Sequence, residues 1–299
     1  MTSDQREWTI AKDVIKSKAE VKFTGDEYAG FYSCGLTMLG SSTMNRFSET
    51  EEDERVFYRT ANGLQLEAAT VKSERSDTYE IQTVIRNTSK EDVTLEMMTS
   101  FLFADVKADR IHRIQSFWSA EGRVRSDDLC DLNMEHSWNN MAYRVEKFGN
   151  VGSMPVRKYF PFVALEDSKT HSFFAVQLYS PASWQIEAVV RAGDAVTLSG
   201  GIADRDFGHW TKVLKPGDFF AAPKAVAAVG GSLEDVCVGN IVDLMEIFAT
   251  NEILIRYDTF NSSQYKLVAY TRLEFPEMTL EVRRWSDKHQ CVVLLDNTV

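Results

Sequence analysis

The residues able to do chemistry gather in three polar, aromatic-rich stretches. Ala108 to Ser126 holds His112, Trp118, Glu121 and Arg123. A short cluster follows at His136-Ser137-Trp138. Gly200 to Trp210 holds Asp204, Asp206, His209 and Trp210. Two carboxyl groups about 5–5.5 Å apart across a sugar can cleave a glycosidic bond with retention; Glu121, Asp204 and Asp206 are the loop carboxyls available. A histidine acid facing a carboxylate base moves protons instead, and His112 or His209 with Glu121 or Asp206 could form that pair. Tryptophans in polar loops, Trp118, Trp138 and Trp210, can stack on a sugar face. The set that would line such a site is Trp118, Glu121, Arg123, Trp138, Asp206, His209 and Trp210. The plain alternative is solvated loop carboxylates and packed rings.

Other chemistries lack their signatures. His112, His136, His171 and His209 show no HxH, HxxxH or HExxH spacing, so no metal site is expected. Gly200-Gly201 has no GxxxxGK[ST] around it, so it is not a phosphate loop. No cofactor is expected.

These stretches must be held by strands. Trp184, Ile186, Ala188 and Val190 alternate with Gln185, Glu187 and Arg191, with Val189 an apolar intruder. That period of two predicts a strand with one buried face. Ala192-Gly193-Asp194 reverses the chain and Val196 and Leu198 resume, so 184–198 reads as a hairpin. The stretch from Gly200 to Trp210 reads as a loop too polar for the core. Lys215-Pro216-Gly217-Asp218 is a type II turn signal. Ala61-Asn62-Gly63 predicts a hairpin within 57–71. Tyr79, Ile81, Thr83 and Ile85, then Val93, Leu95, Met97 and Thr99, predict a second one around 87–92. Ser172 to Tyr179 reads as a central strand buried on both faces. Glu49 to Glu54 reads as an exposed acidic loop. Trp8 to Lys18 fits a helix loosely. Ser232 caps the one well-marked helix, with Leu233, Val236, Cys237, Ile241, Leu244, Met245 and Phe248 at helical spacing over 232–249. Strand-like text resumes at 252–257, 265–270, 278–282 and 291–295. Hairpins without βα alternation give a mainly antiparallel all-β class.

The chain has 299 residues and a net charge of −11. Phosphate backbones are bound by clustered Lys and Arg, so neither nucleic acid nor an anionic membrane is an expected partner. No apolar run reaches the roughly 18 residues of a membrane span. The N-terminus carries no apolar signal region, and a cytoplasmic location is expected. Cys34, Cys130, Cys237 and Cys291 form no CxxC and read as free, buried thiols.

With these residues laid out, the chain resembles the N-terminal domain of glycoside hydrolase family 36, the α-galactosidases. The points of likeness are Ile111-His112-Arg113-Ile114-Gln115-Ser116-Phe117-Trp118-Ser119-Ala120-Glu121-Gly122-Arg123, Gly152-Ser153-Met154-Pro155, Ser183-Trp184-Gln185, Ser199-Gly200-Gly201 and Lys215-Pro216-Gly217. Their order and spacing follow that family over roughly residues 20 to 245. The resemblance implies a β-supersandwich, two large antiparallel sheets face to face, a fold shared with galactose mutarotases. It also implies that the chemistry sits in a following (β/α)₈ barrel, on two aspartates. Neither aspartate setting is found here, and Trp285-Ser286-Asp287 is not the nucleophile motif.

The expected organisation is therefore a supersandwich over 1–250 and a short β-rich segment over 251–299. The first functional reading is a non-catalytic supersandwich that packs on a barrel or a second copy of the chain, with an α-galactoside or other sugar within reach. The others are a stand-alone enzyme of mutarotase type and a carbohydrate-binding module.

Overall fold

The computed structural model describes residues 15–28, 37–73, 78–116, 122–134, 144–153, 156–180, 182–190, 195–237, 279–285 and 290–296. The strands in chain order are β1 (Val21–Phe23), β2 (Ser48–Glu52), β3 (Arg55–Arg59), β4 (Leu64–Lys72), β5 (Thr78–Asn87), β6 (Val93–Lys107), β7 (Arg110–Gln115), β8 (Val124–Asp128) and β9 (Arg144–Asn150). They continue as β10 (Tyr159–Asp167), β11 (Ser172–Leu178), β12 (Trp184–Val190), β13 (Ala195–Ile202), β14 (Lys212–Leu214), β15 (Phe219–Ala221), β16 (Ala225–Gly230), β17 (Thr279–Trp285) and β18 (Gln290–Asp296). A one-turn helix, α1 (Arg205–Gly208), separates β13 from β14.

Two antiparallel sheets result. The six-stranded sheet runs β1-β6-β13-β12-β9, with β14 also on β6. The ten-stranded sheet runs β2-β3-β4-β5-β16-β11-β10-β7-β8, with β15 also on β5. Period-two alternation puts Phe101, Phe103, Trp184, Ile186 and Leu198 of the first against Ile81, Ile111, Val163, Leu165 and Phe174 of the second. Phe103 meets Phe174 edge-on at 4.9 Å, within the preferred range for aromatic pairs. A second core joins Val21, Phe23, Leu95 and Met98 to Val56, Leu66 and Ile85. Gly200 has a packing reason: a Cβ there would lie 2.6 Å from the Phe101 ring. β17 and β18 pair with each other in a separate two-stranded ladder. Among the described residues, no helix is long and apolar enough to cross a membrane.

Several expectations hold. β12 and β13 form the 184–198 hairpin, with Val190 opposite Val196. β11 lies inside the large sheet between β16 and β10. β3 and β4 pair around Asn62-Gly63. Gly217 has φ +89 and the Asp218 N–H donates to the Lys215 carbonyl, as the type II turn requires.

Others are corrected. β5 and β6 are no hairpin, because they belong to different sheets. The chain turns a corner at Asn87, whose buried amide donates to the Glu91 and Leu214 carbonyls and accepts from Ser89. Alternation marks which face is buried but not which strand is the partner. β12 has both faces buried, not one, because Thr37, Met38 and Leu39 cover its outer side. Gly200 to Ile202 are strand rather than loop, and Ala203 and Asp204 are fully buried. Of the acidic run, residues 49–52 belong to the exposed edge strand β2 rather than a loop, and Asp53 and Glu54 form the turn after it; charge on an edge discourages pairing with another chain. Residues 15–20 are not helical, and residues 1–14 lie outside the described region. Cys130 is exposed, not buried, and Cys237 is half-buried; both are free. Cys34 lies outside the described residues.

Of the 232–249 helix, residues 233–237 are described. Asp235 N–H donates to Ser232 Oγ at 3.1 Å, the cap its sequence signalled. This turn seats Leu233, Val236 and Cys237 on Phe160, Phe162, Ala164 and Phe173, the outer face of the large sheet. The remainder of the helix, and the strand-like stretches at 252–257 and 265–270, lie outside the described residues.

Candidate functional site

The segment after β13 uses its polar groups to cap its own turn and to tie that turn to the six-stranded sheet. Asp204 Oδ1 accepts from Phe207 N–H at 2.8 Å, capping α1, while Oδ2 accepts from Gln185 Nε2 at 2.9 Å. Both carboxylate oxygens are thus engaged in a fully buried setting. His209 closes the turn with φ 56, in the left-handed region, and is exposed. Asp206 is exposed in the first turn, where a carboxylate suits the helix dipole. Trp210 is half-buried, 5.4 Å from the Phe220 ring. Arg123 lies elsewhere, exposed in the β7–β8 turn, where its carbonyl accepts from Gln115 N–H at 2.8 Å. So Asp206, His209 and Trp210 share one short segment beside the six-stranded sheet, and Arg123 sits on an edge hairpin of the other sheet. Trp118, Glu121 and Trp138 lie outside the described residues.

A cluster of buried charge lies on the outer face of the six-stranded sheet. There β9, β12 and β13 align Lys147, Glu187 and Ser199. Glu187 is 0% exposed. Its Oε1 accepts from Thr37 Oγ1 at 2.5 Å and Met38 N–H at 2.6 Å. Lys147 Nζ stands 3.3 Å from Oε2. Burial pushes the Glu187 carboxyl up, against the pull of Lys147, Thr37 and Met38. The same strap of chain reaches Glu20, whose Oε1 accepts from Gly40 N–H at 3.1 Å while Oε2 is buried without a hydrogen bond. Burial, with Glu187 and Glu49 nearby, raises Glu20 to about 7.

One step along the sheet is a second charged group. An extra residue on β6 opposite β1 sets Glu96 beside Lys22. Lys22 Nζ lies 2.5 Å from Glu96 Oε2, both residues nearly fully buried. Arg205 of α1 donates to the other oxygen. Burial opposes ionisation of Glu96, but these cations hold its carboxyl below the ordinary range. Lys22 also sits 4.5 Å from the Tyr28 ring. Burial and the carboxylates of Asp206, Asp204 and Glu96 push the Tyr28 phenol well up.

His112 lies on the outer face of the ten-stranded sheet. It is 5% exposed, with Nδ1 2.7 Å from Ser126 Oγ and Nε2 3.0 Å from Glu166 Oε2. Its carboxylate partner is thus Glu166 rather than Asp206. Glu166 carries no signal in the sequence: it is a single carboxylate near the end of the buried strand β10. Glu187 carried one signal: Val189 on the same face shows that this side of β12 is covered.

Chemically, Glu187, Glu20 and Glu96 tie the N-terminal segment and α1 to the sheet. Among the described residues, no group of three or more His, Cys, Asp and Glu converges to hold a metal ion.

The fold matches the N-terminal portion of family 36 α-galactosidases. The galactosidase domain of the α-galactosidase–sucrose kinase AgaSK superposes with a TM-score of 0.52 at 16% identity, over 73% of this chain and 29% of that one. The α-galactosidase AgaB of Geobacillus stearothermophilus gives 0.53 at 14%, over 77% and 32%. The α-galactosidase of Lactobacillus brevis gives 0.52 at 13%, over 73% and 27%. The chain thus spans about a third of the length of the enzymes it matches. No protein-family model matches the sequence, and no curated protein does.

Proposed function

We propose that this chain is the β-supersandwich part of an α-galactosidase-like glycoside hydrolase, an assembly domain that does not cleave a glycosidic bond by itself. The observation that carries the reading is the shape of the structural match. About three quarters of this chain superposes on less than a third of an α-galactosidase. Glycoside cleavage needs two carboxyl groups held at fixed separation across the sugar. Of the loop carboxyls, Asp204 is consumed as a buried cap and Asp206 lies in the single turn of α1, exposed. The family resemblance supplies the missing pair from a barrel, so the expected partner is a barrel domain or a second copy of this chain. Trp210, His209 and Asp206, together on one segment, remain the residues proposed to touch a sugar; Arg123, on the edge hairpin of the other sheet, would do so only at a separate place.

The test is direct. The purified chain should release no nitrophenol from a nitrophenyl α-galactoside above the buffer rate. Co-expression with a family 36 barrel should give a complex that co-elutes on a sizing column. Robust hydrolysis by the isolated chain, lost on changing Asp206 to Ala, would overturn the proposal.

A further inference from the structure

Ser126, His112 and Glu166 form a continuous hydrogen-bonded chain that the assembly role does not use. We propose that this chain is a nucleophile, base and orienting carboxylate, and that Ser126 is an acylatable serine able to turn over small esters.

Three strands place it. On adjacent β7 and β8, Ser126 lies directly opposite His112. On β10, Glu166 faces Arg110 across the ladder with β7, and its carboxylate reaches His112 on the same side of the sheet. The distances are those of an activated nucleophile: 2.7 Å from Ser126 Oγ to Nδ1 and 3.0 Å from Nε2 to Oε2. Burial differs along the chain in the useful direction. Ser126 is exposed on the outermost strand of the sheet, whereas His112 and Glu166 are 5% and 7% exposed. The carboxylate on Nε2 fixes the proton there and leaves the Nδ1 lone pair for the serine hydroxyl. Burial outweighs the attraction of Glu166 and holds the imidazole below its ordinary pKa, so it is neutral and able to accept at pH 7.

The ester class follows from the surroundings. Val124 and Ile114 form the next pair on this face, and Val124 is 44% exposed. An open apolar step of that size suits a short acyl group. In the reaction, Ser126 Oγ bonds to the carbonyl carbon as its proton passes to His112 Nδ1. The carbon–oxygen bond to the alcohol then breaks, and the alcohol leaves with that proton. Water, deprotonated by the same nitrogen, releases the acid and restores the serine.

The experiment is labelling of the full chain with a fluorophosphonate, followed by intact mass and peptide mapping. The oxygen–phosphorus bond forms, fluoride leaves and the proton goes to His112. One adduct per chain is expected, on Ser126, and none in Ser126→Ala, which alters an exposed position and leaves the fold intact. His112→Gln should slow labelling by about 100-fold or more, the scale of a lost general base. Should His112→Gln fail to fold by circular dichroism, Glu166→Gln serves in its place, with a slowing of about tenfold or more. An unlabelled Ser126, an adduct on another residue, or an unchanged rate in a folded His112 or Glu166 variant would overturn the proposal. Neither result bears on barrel binding.

Discussion

Replacing Glu20 by Gln should stabilise the protein at pH 8 and leave it nearly unchanged at pH 4. Glu20 is half-buried, with one carboxylate oxygen on Gly40 N–H and the other without a hydrogen bond. Burial, reinforced by Glu187 and Glu49, lifts its pKa from 4.5 to about 7. The folded state therefore holds this proton longer than the unfolded chain does. Stability from this group is fully present below pH 4.5 and is lost as pH rises through 7. At about 1.4 kcal/mol per pH unit, ionised Glu20 costs the folded state about 3 kcal/mol. Water reaching a half-buried side chain screens part of that, leaving about 2 kcal/mol. Glutamine keeps the acceptor for Gly40 and carries no charge. Urea unfolding followed by tryptophan fluorescence from pH 4 to 8 reads the effect. The wild-type and Glu20→Gln curves should separate between pH 4.5 and 7 and run parallel above it. Parallel curves throughout, or a variant less stable at pH 8, would refute the reasoning.

Two further outcomes are expected. Lys22→Met leaves the buried Glu96 carboxylate with Arg205 as its cation and should cost about 3 kcal/mol, with much of the loss recovered in the double variant Lys22→Met, Glu96→Met; a double variant no better than the single would contradict this. Gly149→Ala would put a Cβ 2.2 Å from the Trp184 carbonyl oxygen, in backbone that cannot move alone. It should cost about 3 kcal/mol or more, read as a lower midpoint in the same urea assay.

Strands were legible where apolar periodicity ran unbroken, as in β12 and β13, and not where polar and aromatic residues crowd the text, as in β7, whose Ile111 nonetheless faces the core. The β12–β13 hairpin could be read from alternation and the buried β11 from its continuous apolar run, because both patterns are local properties. Partners were not legible where the chain changed sheets. Tyr79–Ile85 and Val93–Thr99 alternate as a hairpin would, yet Asn87 sends β6 across the core from β5. Burial of the outer face was hidden for a related reason. Glu187, Lys147 and Lys22 look like solvent positions in the sequence, with Val189 beside Glu187 the one hint otherwise; the strap at 37–41 and the bulge at Glu96 show that they are covered. Asp204 and Trp210 were visible as unusual residues, but their use as cap and packing ring depends on Gln185 and Phe220, which are remote or unremarkable in the text.

The placement of β16 governs the order in which the molecule can be made. This strand sits at the centre of the large sheet between β5 and β11, and beside it Lys224 bonds to Glu80, 144 residues upstream. A ribosome adding about 5–20 residues per second needs roughly 7–30 s to cover that distance. Throughout that time β5 has emerged with β4 on one side and an open ladder on the other. The nascent sheet therefore waits as two halves, and its central seam closes only after residue 230 has been synthesised. Pairings this distant in sequence also slow refolding of the finished chain. Slowed translation or chaperone depletion should show first as aggregation through the unsealed edge of β5.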